Sequence, residues 1–77
     1  MRYTVAVNYT TDEEAGTVYG VALRLKREGY FQSFNMHNED GVALLFCADP
    51  ESADTVVNTY NDLATEKGMR GIFAQID

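Results

Sequence analysis

Over residues 2–9 apolar and polar positions alternate, with Tyr3, Val5 and Val7 interleaved with Thr4, Ala6 and Asn8. That is the period of a strand with one buried face. From Thr11 the period changes, and Ala15, Val18, Tyr19, Ala22 and Leu25 recur at helical spacing as one stripe. Thr11-Asp12-Glu13-Glu14 is a capping box: the Thr11 hydroxyl accepts from the backbone three residues on, Glu14 reaches back, and the acids suit the helix dipole. Lys26 and Arg27 fit the last turn, and Gly29 is the expected left-handed stop.

Residues 30–38 return to alternation, with Gln32, Phe34 and Met36 on one side and Phe31, Ser33, Asn35 and His37 on the other. They predict a second strand. Residues 42–48 are apolar throughout, and a run this short between a turn and a helix start predicts a central strand buried on both faces. Asp49 as N-cap and Pro50 as first helical residue open a second helix. Its stripe is Ala53, Val56, Val57, Tyr60, Leu63 and Ala64, and Gly68 ends it. Residues 70–77 alternate Ile72, Ala74 and Ile76 with Gly71, Phe73 and Gln75, a fourth strand.

Between the second and third strands, Glu39-Asp40-Gly41 fits a three-residue hairpin loop closed by a left-handed glycine. That loop sets Asn38 opposite Val42, Met36 opposite Leu44 and Phe34 opposite Phe46, apolar against apolar. The order βαββαβ matches the α+β, ferredoxin-like split βαβ arrangement, as one domain spanning residues 1–77. Right-handed crossovers place the strands in the order 4-1-3-2, with both helices on one face. The other face is left bare. Ala6, Phe31, Leu45, Cys47 and Phe73 are expected there, a surface too apolar to be merely wetted, and a second copy of the chain is the simplest cover. Gly16 and Gly20 each cost the first helix roughly 1 kcal/mol. Two explanations stand open: close packing on the domain's own sheet or helix, or close approach of a partner backbone.

Composition narrows the partners. Twelve Asp and Glu against six Lys and Arg give a net charge of −6 over 77 residues, the wrong sign for binding a phosphate backbone and the right one for a basic protein surface. The topology gathers Asp12, Glu13, Glu14, Glu39 and Asp40 at one end of the sheet. The expected partner is a protein with a basic surface docked on this acidic pole, set against ordinary helix capping and solvated turn residues as the plainer reading. No stretch reads as a signal peptide or membrane span, and one cysteine, Cys47, fits a reducing compartment, so a cytoplasmic location is expected. A domain this small buries only about 60% of its unfolded surface, which also favours a partner.

Chemistry is sparse. His37 and Cys47 are the candidates for a nucleophilic pair, but the expected register sets Cys47 opposite Ser33, about 13 Å from His37 at the strand rise. One His and one Cys fall short of a zinc site, and no EF-hand spacing, P-loop or G-x-G-x-x-G occurs. No metal, no cofactor and no catalysis are expected.

The layout resembles several ferredoxin-like families without their motifs. RNA-recognition motifs place stacking aromatics on the bare face of strands one and three, where Ala6, Ala43 and Leu45 are expected here. ACT-type amino-acid sensors are similar in length and element order but carry Asp-x-x-Gly after strand one, where this chain has Asn8-Tyr9-Thr10-Thr11. Metal-carrier domains of this fold carry Cys-x-x-Cys in that loop, and the small nucleases of CRISPR adaptation carry a metal-binding Asp where Asn8 stands. The reading that follows is a small acidic non-catalytic interaction protein. It would self-associate, bind no nucleic acid directly, and inhibit or regulate a nucleic-acid-binding protein through its basic surface, as small phage-encoded inhibitors do. The alternative is an ACT-like small-molecule sensor.

Overall fold

The structure is a computed structural model and describes residues 3–77. The expected start of the first strand at Arg2 lies outside them. Strand β1 (Tyr3–Asn8) leads into helix α1 (Asp12–Arg27), then β2 (Ser33–His37), β3 (Val42–Cys47), helix α2 (Pro50–Lys67) and β4 (Phe73–Ile76). The four strands form one antiparallel sheet in the order β2-β3-β1-β4, which is the ferredoxin-like arrangement.

Local signals place the helix ends. The capping box forms, with the Glu14 N–H donating to the Thr11 hydroxyl at 3.1 Å, and Asp49 accepts from the Ser52 N–H at 2.7 Å. At the C-terminus of α1, Tyr30 N–H donates to Leu25 O and Gly29 N–H to Lys26 O, the paired bonds of a Schellman motif around a left-handed glycine. Val18, Ala22 and Leu25 of α1 and Ala53, Val56, Tyr60 and Ala64 of α2 close over one face of the sheet, on Val5, Val7, Leu45 and Ala74. The Tyr60 hydroxyl, inside that core, donates to the Val18 carbonyl at 2.8 Å and so ties α2 to α1.

The β2–β3 register differs from expectation by one residue. The turn holds four residues, 38–41, so His37 faces Val42, Met36 faces Ala43 and Phe34 faces Leu45. Asp40 N–H donates to His37 O at 3.0 Å, and Gly41 takes φ 68°. A side chain is barred at Gly41 twice over: by that φ, and because a Cβ would lie 2.7 Å from the Tyr9 carbonyl oxygen. Tyr9 N–H in turn donates to Gly41 O, which fastens the turn to the end of β1.

A one-residue shift turns every side chain of β3 over. Ala43, Leu45 and Cys47 lie on the helix side and are wholly buried, while Val42, Leu44 and Phe46 lie on the open side and are half-buried. Leu45 and Cys47 are therefore core residues rather than members of the bare face. Phe31 is a third correction. It precedes β2, is buried in the core, and packs edge-on against Phe34 with ring centroids 5.8 Å apart. Ala6 and Phe73 lie on the open side, Phe73 well exposed but Ala6 itself only 8% exposed between its neighbouring strands.

Candidate functional site

The face that the helices leave uncovered reads row by row from the register. Ser33, Phe46 and Thr4 form one row; Asn35, Leu44, Ala6 and Gln75 the next; His37, Val42, Asn8 and Phe73 the third. None of these residues is Lys, Arg, Asp or Glu. Val42, Leu44 and Phe46 make an apolar stripe along β3, with Ala6 beside it and Phe73, 54% exposed, at the far corner. An apolar, charge-free centre with polar flanks has the composition of a protein–protein interface core.

At the end of the sheet where β1 meets α1, two loops are joined. The Tyr9 hydroxyl donates to Asn38 Oδ1 at 2.6 Å, and burial raises the pKa of that hydroxyl. Asp12 and Glu13 in the first turn of α1, and Glu39 and Asp40 in the β2–β3 turn, are exposed, so four of the five expected acids stand at one end. A small dent of about 160 Å³ lies between the loops, lined by Tyr9, Thr10, Thr11, Asp12, Ala15, Asn38 and Gly41.

Glu14 is not available to a partner. It is 7% exposed, and its Oε1 accepts from the Thr10 N–H, the Thr10 hydroxyl and the Thr11 N–H, while Oε2 accepts from the Gly71 N–H at 3.0 Å. The Thr10 backbone and hydroxyl bonds, with those from Gly71 and Thr11, hold its pKa below the usual carboxylate value against the opposing effect of desolvation. This carboxylate laces the β1–α1 loop to the α2–β4 loop. A Cβ at Gly71 would run into the Glu14 carboxylate and the Thr10 hydroxyl, which is why that position is glycine.

Cys47 and His37 lie on opposite faces of the sheet, since Cys47 is buried under the helices and His37 stands exposed on the open side. Phe46, not Cys47, is opposite Ser33. Burial, and secondarily the charge of Asp49, pushes the Cys47 thiol pKa up, away from nucleophilic thiolate character. Among the described residues no three His, Cys, Asp or Glu side chains converge as metal ligands, and no buried side-chain nitrogen or oxygen lacks a partner. No helix of the described residues is long and apolar enough to cross a membrane.

The sequence reading missed Val42, Leu44 and Phe46 as surface residues, because in an all-apolar strand no alternation marks which side is which. The comparison with RNA-recognition motifs changes accordingly: β3 offers Leu44 and Phe46 on the open face, one aromatic rather than none, while β1 offers Thr4, Ala6 and Asn8. No protein-family model, curated protein or solved structure matches this chain.

Proposed function

We propose that this chain is a small non-catalytic protein-interaction module that seats a protein partner on its open sheet face and orients a basic surface of that partner with its acidic end. The carrying observation is the charge-free stripe of Val42, Leu44 and Phe46, half-buried on the side of the sheet that the helices leave open. An apolar stripe supplies contact area that gains free energy when water leaves it. The acids Asp12, Glu13, Glu39 and Asp40, with the net charge of −6, favour a basic partner, speed its approach and select its orientation. Covering a basic groove in this way would make the module an inhibitor or regulator of a nucleic-acid-binding protein.

The test is affinity capture at low and high ionic strength with three baits: the wild type, Leu44→Glu, and the double variant Asp12→Lys with Asp40→Lys. Leu44 is half-buried on the open side, so its replacement leaves the helix-side core intact. The proposal expects basic proteins retained by the wild type at low salt, released as salt rises, and lost with both variants. Retention of the same proteins by Leu44→Glu would overturn it.

A further inference from the structure

The two edges of the sheet are treated differently. At the β4 edge, Ala74 N–H donates to Asn61 Oδ1 at 2.9 Å and Asn61 Nδ2 donates to the Ala74 carbonyl at 3.0 Å. The amide of a helix side chain thus takes the place that a neighbouring strand would occupy. Edges are commonly blunted in such ways, or by charge, Pro or bulges, because unpaired backbone groups invite another chain.

The Asn61 contact also fixes which way every strand's backbone groups point. Consecutive residues of an antiparallel strand direct their N–H and C=O to alternate sides. Ala74 points away from β1, so Val7 opposite it points to β3, and Ala43 points back to β1. Leu44 then points to β2, Asn35 points to β3, and Phe34 and Met36 direct their backbone groups outward at the β2 edge. The bond from Asp77 N–H to Thr4 O has the same phase. Among the described residues no side chain is hydrogen-bonded to the Phe34 or Met36 backbone as Asn61 is to that of Ala74, and residues 32–38 contain no Lys, Arg, Asp, Glu, Pro or Gly.

We infer that the β2 edge is where a second copy of this chain adds, in antiparallel fashion about a two-fold axis at Asn35, to make one continuous eight-stranded sheet. With that axis Phe34 of each copy faces Met36 of the other, and the two pairs exchange four backbone hydrogen bonds. The strand is self-complementary in this register, apolar meeting apolar on the helix side and Ser33 meeting His37 on the open side.

What lies above the edge fits the same occupant. Tyr19 of α1 packs on Phe34 with ring centroids 5.9 Å apart, and Ala15, Gly16, Tyr19, Met36 and Asn38 line a dent of about 350 Å³ beside the strand. Phe34 of the second copy arrives opposite Met36, at that dent. The two-fold axis also lays α1 antiparallel to its counterpart, which directs the acidic first turn, Asp12 and Glu13, toward the basic last turn, Lys26 and Arg27. Gly16 and Gly20 are exposed, and a Cβ at either would meet nothing within 4 Å. Close packing inside the domain therefore does not account for them, whereas the approach of a second α1 does.

The inference is independent of docking at the open face, and the purified chain alone tests it. Sedimentation equilibrium over a concentration series should show a dimer. Asn35→Lys, exposed and self-opposed at the axis, should weaken it by about tenfold or more. Gly16→Gln should weaken it as well while raising the thermal midpoint, and it serves as the readout if Asn35→Lys fails to fold. Asn35→Cys should cross-link under mild oxidation, because directly opposed residues of a non-hydrogen-bonded pair lie within disulfide range. Gln75→Cys, on β4, should not. A wild type that stays monomeric, a dimer indifferent to both substitutions, or equal cross-linking from position 75 would overturn the inference.

Discussion

Replacing Leu45 and Leu44 by alanine, one at a time, separates the two possible phases of β3 by their effect on stability. Leu45 is wholly buried between Val5 and Phe34, its neighbours across the sheet, and belongs to the core under both helices. Removing its side chain leaves a cavity among residues that are themselves fixed, which costs about 3–5 kcal/mol. A chain of this length has on the order of 4–12 kcal/mol in all, so the variant loses a large part of its stability. Leu44 is only half-buried on the open face, and its truncation costs about 1 kcal/mol. At roughly 4–8 °C per kcal/mol for a domain of this size, Leu45→Ala should melt at least about 12 °C below wild type and Leu44→Ala within about 8 °C of it. Circular dichroism during thermal and urea unfolding measures both. Under the register expected from a three-residue loop the order is reversed, with Leu44 the costly position. Equal losses, or a larger loss at Leu44, would refute the four-residue turn and the open face built on it.

Two further substitutions probe the lacing of loops and edges. Glu14 has a lowered folded-state pKa, so the stability it confers is fully present above its unfolded value of about 4.3 and is lost as pH falls through the lower folded value. Glu14→Gln should therefore flatten the acid limb of the stability–pH curve, measured by urea unfolding at a series of pH values, and an unchanged slope would show that its four hydrogen bonds contribute nothing. Asn61→Leu strips the backbone of Ala74, itself 2% exposed, of both its partners, for a loss of about 1–3 kcal/mol. It should also open the β4 edge, seen as concentration-dependent light scattering; a variant as stable and as dispersed as wild type would mean that the amide guards nothing.

What was legible in the sequence follows from the range over which each signal acts. Thr11 with Glu14, Asp49 with Pro50, and the glycines at 29 and 68 are settled within four or five residues, and the helices begin and end where those residues place them. The element order then leaves few topologies, and the expected strand order is the one found. Register is different. It depends on whether the turn holds three residues or four, and Val42–Cys47 is apolar at every position, so no alternation was there to correct the choice. Phe31 failed for a related reason: it alternates in phase with Ser33 and Asn35, yet the strand starts only at Ser33 and the residues before it turn inward. The contact between Glu14 and Gly71 spans 57 residues, and no local pattern announces it.

The observed register puts the larger apolar side chains of β3, Val42, Leu44 and Phe46, on the open face in place of Ala43, Leu45 and Cys47. A strand in a two-layer sandwich must bury one side against the helices, and the other side is free to be polar. The sheet uses that freedom elsewhere: β1 turns Thr4 and Asn8 outward, and β2 turns Ser33, Asn35 and His37 outward. On β3 the side facing α1 and α2 is already filled by Ala43, Leu45 and Cys47, so the fold asks nothing apolar of Val42, Leu44 and Phe46. Three apolar side chains at alternate positions of a central strand, each only half-buried, keep part of their apolar surface in water although the helix-side core does not require them. That leftover apolar side, which the chain's own packing does not require, is the physical ground for centring the proposed docking site on β3.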